Sequence, residues 1–208
     1  MRCLMCEELS FSHICSSCQK ENLQPSFYQR DLPLNIPVYS FYKYKDIKNL
    51  LHTKHTDLGY YIFKILAKLS FSKFAEKFVF RGELVSLGID DHVRHGYSHT
   101  GLLNSSLRSY HIKPLFAKLR AQNEETFSGK SYGERVQNPR DFKVERFKSG
   151  DVILVDDIIT TGLTFMEAIS ALESEGKNVV FCLALADVRQ ETTKDAHTDL
   201  NFEDAYQQ

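Results

Sequence analysis

The residues best suited to chemistry stand together between Val152 and Thr164, which read V-I-L-V-D-D-I-I-T-T-G-L-T. Asp156 and Asp157 close a short apolar run. Ile159, Thr160, Thr161, Gly162, Leu163 and Thr164 then form a hydroxyl-rich turn. Phe165, Ala168, Ile169 and Leu172 follow with helical spacing, so the turn opens a helix. Three threonines, one glycine and the free amides of a helix N-terminus suit an enclosed phosphate. Gly162 admits a close backbone approach that a Cβ would obstruct. Two carboxylates just upstream would repel that phosphate, so they are expected to face hydroxyls or a bound cation. A sugar phosphate meets both demands, with its phosphate in the turn and its vicinal hydroxyls on the acids.

A second constellation lies at the N-terminus. Cys3, Cys6, Cys15 and Cys18 are spaced C-x2-C-x8-C-x2-C. Two such pairs can complete a tetrahedral shell of four thiolates, and soft sulfur ligands favour zinc, with a rubredoxin-like iron site as the lesser alternative. A closed shell leaves no position for a reacting water, so the expected role is structural. His13 lies between the pairs as a spare ligand. The fifth cysteine, Cys182, sits in the apolar run Val179 to Leu185 and reads as a core residue.

The elements that must position these groups follow from pattern. Val152 to Val155 has the continuous apolar character of a buried parallel strand. Gly176 is placed to end the helix after the turn, and Val179 to Leu185 reads as the next strand. This is a βαβ unit with the chemistry in the crevice where open α/β sheets bind ligands. Upstream, residues 19–37 read as a connector and Val38 to Tyr44 as a strand. Lys45 to His55 reads as a short helix. Leu58, Tyr61, Ile62, Ile65, Leu66 and Leu69 mark the apolar face of a longer one. Glu83 to Leu87 is an expected strand, His99 to Ser109 a helix and Pro114 to Leu119 another strand. Residues 120–140 are polar and lack an apolar period, and are expected to form a flap. The domains are thus 1–25, a four-cysteine zinc knuckle, and 26–208, an α/β domain.

Composition agrees with a folded chain and excludes some classes. The 208 residues are 42% hydrophobic, and the formal net charge is −1, so no global basic signature for nucleic acid exists. Residues 108–148 hold ten Lys or Arg against five acids, a basic stretch suited to an anionic ligand, whereas 187–208 hold six acids against two bases. No secretory signal and no membrane-spanning run appear, and a cytoplasmic protein without membrane insertion is expected.

The segment from Val152 to Thr164 resembles the phosphoribosyl-diphosphate motif of type I phosphoribosyltransferases. The resemblance implies that Asp156 and Asp157 take the ribose hydroxyls, that Ile159 to Thr164 hold the 5-phosphate, and that Mg2+ arrives with the diphosphate. It also implies a Rossmann-like, mostly parallel sheet with flanking helices. A receiver domain, whose strand also ends in paired acids, is the rival; there the pair belongs near the start of the fold, with no such threonine turn. An N-terminal double C-x2-C ahead of this domain resembles the ComF family of competence-associated proteins. Tyr39 to Leu51 and Leu119 to Asn138 resemble that family's first strand and helix and its flap. Arg94 to His99, R-H-G-Y-S-H, stands where the family tends to show R-G-F-N-Q. Membership implies a role in natural transformation, with phosphoribosyl diphosphate, incoming single-stranded DNA and a competence helicase as partners.

The chemistry implied is transfer of ribose 5-phosphate to a nitrogen nucleophile with release of pyrophosphate. Asp156 or Asp157 would stabilise the cationic ring or act as a base, and Arg94, Arg120, Lys130 and Arg135 are the candidates to stabilise the leaving charge. Two other readings of the same residues stand open: an active phosphoribosyltransferase of nucleotide metabolism, and a regulator that binds the ligand without turnover.

Overall fold

The structure is a computed structural model that describes residues 1–33, 35–89, 93, 96–123 and 140–189. Four apolar residues in a row, Val152 to Val155, have no exposed surface and form the centre of strand β7 (Asp151–Ile159). Such a run is stable only where both sheet faces are covered. It lies inside a six-stranded sheet of order β1-β2-β8-β7-β3-β4. The other strands are β1 (Tyr28–Asp31), β2 (Pro37–Lys43), β3 (Leu84–Gly88), β4 (Ile112–Leu115) and β8 (Asn178–Asp187). All pairings are parallel except the edge pair β1–β2. The α/β fold with a mostly parallel sheet expected from the sequence is therefore what the chain adopts.

Helices cover both faces. On one lie α2 (Tyr44–Leu51), α3 (Asp57–Ala67), α4 (Lys73–Lys77) and α5 (His99–Ser105). On the other lies α6 (Leu163–Ser174), beside a two-stranded antiparallel hairpin of β5 (Leu119–Ala121) and β6 (Phe142–Val144). The expected strand over Pro114 to Leu119 is thus two short strands in separate sheets. The long polar segment between β5 and β6 was expected to be a flap; its residues 124–139, with Lys130, Arg135 and Asn138, lie outside the described residues, as do Arg94 and His95. No described helix is long and apolar enough to cross a membrane.

The connector expected over residues 19–37 holds structure of its own. Helix α1 (Ser16–Asn22) extends into it, and β1 adds an antiparallel edge to the sheet. The buried face of α3 also differs from the one its periodicity suggests. Gly59, Ile62, Phe63, Leu66 and Ala67 face inward, while Tyr61 is 51% exposed. Phe63 is wholly buried, and a π-helical turn (Lys68–Ser72) carries the line on to Ser70, Phe71 and Phe74. There Phe41, Phe71, Phe74, Phe78 and Phe181 meet at ring separations of 4.9–6.1 Å. Burial of these large rings outweighs the branched aliphatics nearer the edge of the stripe.

Gly59 marks the tightest approach in this layer. A Cβ there would collide with the Thr53 carbonyl oxygen and the Tyr97 hydroxyl. These belong to the 3-10 turn His52–His55 and to the segment before α5. Gly59→Ala is expected to destabilise the fold by about 1–3 kcal/mol, read as a lower urea midpoint at unchanged slope.

Candidate functional site

The connections from β2 to β3 and from β3 to β4 run toward one edge of the sheet, and the connection from β7 to β8 runs toward the other. The crevice between the carboxyl ends of β3 and β7 is therefore the topological switch point, where open α/β sheets bind ligands. β3 and β7 pair from Leu84–Asp151 to Gly88–Val155, and the Ile89 amide donates to the Val155 carbonyl at 2.8 Å. Asp156 and Asp157 are the next residues of β7, which continues to Ile159.

The turn that follows is compact. Gly162 has φ +87° and ψ 0°, the left-handed region that glycine adopts without strain, and it caps the N-terminus of α6. A Cβ on it would also strike Leu32 Cδ2 at 2.5 Å. The Thr161 hydroxyl accepts from the Leu163 amide at 3.3 Å. Arg30, reaching over from β1, donates from Nη2 to the Thr160 carbonyl at 2.9 Å. Its Nε lies 3.3 Å from Asp187 Oδ2, an ion pair without hydrogen-bond geometry. Two residues at the β1 end, Arg30 and Leu32, thus clamp the turn from the edge of the sheet. Thr160, Thr161, Leu163 and Thr164 remain partly exposed at the positive end of the α6 dipole.

The two acids differ in surroundings. Asp157 is 6% exposed. Its Oδ2 lies 2.8 Å from Lys54 Nζ and 3.6 Å from His99 Nε2. Burial raises the Asp157 pKa, but the charges of Lys54 and His99 outweigh it and hold the carboxyl well below the usual range. Burial likewise lowers the Lys54 pKa, and Asp157 more than restores it. Asp156 is partly exposed and accepts from the Asp157 amide through Oδ1 at 2.8 Å. Burial and the neighbouring Asp157 charge push its pKa well up, with Arg140 opposing. A proton bound by this pair therefore resides on Asp156, and Asp157 is the standing anion.

Tyr97 ties the arrangement together. Its hydroxyl donates to the Lys54 carbonyl at 2.9 Å, and burial with the Asp157 charge pushes its pKa up to about 12. Lys54, His99 and Tyr97 come from the 3-10 turn, from α5 and from the segment before α5. Lys54 falls within the helix expected over Lys45 to His55, where no local pattern marks it as a partner of Asp157. His99 stood out only as a departure from a family pattern. Arg94 and Arg135, the expected basic groups, lie outside the described residues.

The N-terminal cysteines also converge. The Sγ atoms of Cys3, Cys6, Cys15 and Cys18 all lie within 4.8 Å of one another, with Cys6 and Cys15 at 3.7 Å. Four sulfurs held about 2.3 Å from a zinc ion sit roughly 3.8 Å apart, so the cluster fits a tetrahedral thiolate site. Backbone amides of Met5 and Cys15 point at Cys3 Sγ, and that of Cys18 points at Cys15 Sγ. Burial opposes ionisation of Cys3, yet amides bring its pKa down to about 6. The hydrogen bond with Cys15 and burial push the Cys18 thiol up, so four thiolates coexist only around a cation. The four cysteines can thus bind zinc. His13 instead packs against Tyr61, with ring centroids 4.7 Å apart and the planes tilted by 48°. Cys182 has no exposed surface, and burial pushes its thiol up, as expected of a core residue.

Residues 117–206 match the family model of the phosphoribosyl transferase domain. The match includes both acids and the whole turn but spans less than half of the chain. Among solved structures the chain is similar to a hypoxanthine phosphoribosyltransferase from Staphylococcus aureus (17% identity, 64% of this chain and 69% of that one, TM-score 0.37). It is also similar to an orotate phosphoribosyltransferase from Aeropyrum pernix (18%, 82% and 80%, 0.38). A third is an adenine phosphoribosyltransferase from Leishmania tarentolae (12%, 81% and 88%, 0.39). These overall likenesses are remote. No curated protein sequence matches the chain.

Two outcomes follow from the site geometry. Lys54→Met leaves Asp157 buried without its main partner and is expected to cost about 1.5–3 kcal/mol at neutral pH. In the parent, the Asp157 contribution is present above the unfolded carboxyl pKa of about 3.9 and is lost as pH falls through the lower folded value. The stability gap between parent and variant, measured by urea unfolding, should therefore narrow on acidification. Zinc should raise the melting temperature of the whole domain, and a chelator should lower it. The physical reason is that Ile14, Cys18 and Leu23 belong to the same buried cluster as Phe41 and Phe63.

Proposed function

We propose that the chain binds phosphoribosyl diphosphate through Asp156, Asp157 and the turn Ile159 to Thr164. The observation that carries this reading is the pairing, at one switch point, of a glycine-capped helix N-terminus with two adjacent carboxylates. The turn offers amides, hydroxyls and a positive dipole to the 5-phosphate. The carboxylates offer acceptors to the vicinal hydroxyls of the ribose. Lys54 and His99 both approach Oδ2 of Asp157 and fix that carboxylate at the crevice. The family match over residues 117–206 supports the same assignment.

Transfer on this site breaks the bond between the ribose C1 carbon and the diphosphate oxygen. The diphosphate leaves with the electron pair, and a nitrogen lone pair closes the new bond. Positive charge that develops on the ribose ring is stabilised by the standing anion Asp157. Mg2+ bound with the diphosphate would supply charge neutralisation to the leaving group, and Arg94 and Arg135 are proposed to add to it. The zinc ion proposed for Cys3, Cys6, Cys15 and Cys18 has no part in these steps and serves the fold.

The wider setting proposed is that of a ComF-like cytoplasmic protein in natural transformation, with incoming single-stranded DNA and a competence helicase as partners. Support for it is the occurrence, on one chain, of a four-cysteine cluster and a phosphoribosyltransferase-type turn. Release of pyrophosphate on mixing with a nitrogen acceptor separates a transferase from a protein that binds the ligand without turnover.

Magnesium phosphoribosyl diphosphate titrated into the zinc-loaded protein by calorimetry should give saturable binding. Thr161→Arg, which fills the phosphate turn, should abolish it while leaving the melting temperature close to the parent's. A folded, zinc-loaded parent that takes up no heat on titration would overturn the assignment.

A further inference from the structure

A second concave surface lies apart from the turn. It is a groove of about 740 Å³ between α3, α5 and the chain around β5, lined chiefly by Tyr60, Lys64, Tyr97, Ser106, Phe116 and Arg120. Neither Asp156, Asp157 nor any residue of the turn from Ile159 to Thr164 lines it. Its size lies within the span of about 300–1,000 Å³ usual for small-molecule sites.

Its lining has a definite chemical character. The walls are aromatic: Tyr60 is 40% exposed, Phe116 44%, and Tyr97 meets Tyr60 edge to face at 5.9 Å. Exposed rings around a concavity offer a planar ligand a face to stack on. Among the described residues the charges that line the groove are of one sign. Lys64 and Arg120 are its charged lining residues, and neither forms an ion pair among the described residues. Lys64 instead rests over the Tyr60 ring at 5.8 Å. The hydroxyls of Ser105 and Ser106 both donate to the Leu102 carbonyl, so what they offer a ligand is an acceptor for an N–H. Stacking faces, two cations and hydroxyl acceptors together describe a partner with a flat ring, an amino group and an anionic end.

We propose that this groove is a second binding site and that it takes a nucleoside monophosphate. The base lies against Tyr60, Tyr97 and Phe116, and the phosphate meets Lys64 and Arg120. Tyr97 is a wall of the groove and also holds the Lys54 carbonyl, while Lys54 holds Asp157. Two hydrogen-bonded contacts thus join the groove to the acid pair, which gives a ligand in the groove a physical route to the phosphoribosyl site.

The test uses the zinc-loaded full chain and adenosine 5′-monophosphate as probe, titrated by calorimetry. The parent should bind it, and Thr161→Arg, whose phosphate turn is filled, should still bind it; the groove is read in that background. Tyr60→Ala should weaken binding by roughly tenfold, the scale of one lost stacking contact. Lys64→Ala and Arg120→Ala, at exposed positions, should each weaken it too. Adenosine and ribose 5-phosphate, each lacking one half of the recognition, should bind less well than the whole nucleotide. Melting temperatures equal to the parent's keep these losses attributable to contacts. No binding by the folded parent overturns the proposal. So does loss in Thr161→Arg with retention in Tyr60→Ala, which would put the nucleotide in the phosphate turn. Ribose 5-phosphate binding to Thr161→Arg as tightly as the nucleotide does would remove the stacking site. Phosphoribosyl diphosphate is titrated in parallel. A parent that binds only the nucleotide leaves the groove standing and removes the reading of the turn; the reverse result removes the groove alone.

Discussion

Asp156 and Asp157 stand side by side at the buried end of β7, where neither carboxylate has full access to water. Adjacent like charges in such a place favour protonation of one or both, unless a cation is supplied. Lys54 supplies it, from 103 residues away in sequence, at 2.8 Å from Asp157. The rest of the site can be understood from that pair. Lys54 is held in place through its carbonyl by Tyr97. Tyr97 reaches it because Gly59 has no side chain to stand between them. His99 at the start of α5 adds a second contact to the same carboxylate oxygen. A short 3-10 turn, one glycine in α3 and the N-terminal end of α5 are thus organised around one buried negative charge.

The opposite side of the crevice is organised by backbone geometry rather than charge pairing. Gly162 turns the chain sharply enough for α6 to begin at the crevice. Leu32 packs where a Cβ would be, and Arg30 fixes the Thr160 carbonyl. The β1–β2 pair, antiparallel at the edge of an otherwise parallel sheet, therefore shapes the turn as well as extending the sheet. The N-terminal cysteine cluster is similarly bound into the whole. Its apolar residues lie in the main core, so a metal held by its four sulfurs acts on the stability of the same helix layer that carries Lys54 and Tyr97.

Much of this is legible along the chain. The apolar run ending in two acids, the threonine and glycine turn, and the helix after it read as a βαβ unit because each depends on neighbours in sequence. The period-2 and period-3.6 signals and a glycine at positive φ are local properties. Spacing of the cysteines also suffices to anticipate their convergence, since each C-x2-C closes through its own short turn. Where pattern and fold part, competing burial decides. The face of α3 turns toward Phe63 instead of Tyr61, and Pro114 to Leu119 is divided between two sheets. The residues around Arg30 resemble a connector, since a four-residue edge strand leaves little periodic signal.

The sequence by itself determined the α/β alternation, the position of the two acids and the threonine-glycine turn, and the four-cysteine cluster. Tertiary structure alone decided that the acids are unequal. Which carboxylate is neutralised depends on Lys54, His99 and Arg140, and these arrive from elements far apart in the chain. A pattern along the sequence carries no distance between such groups, whereas charge interaction depends on little else.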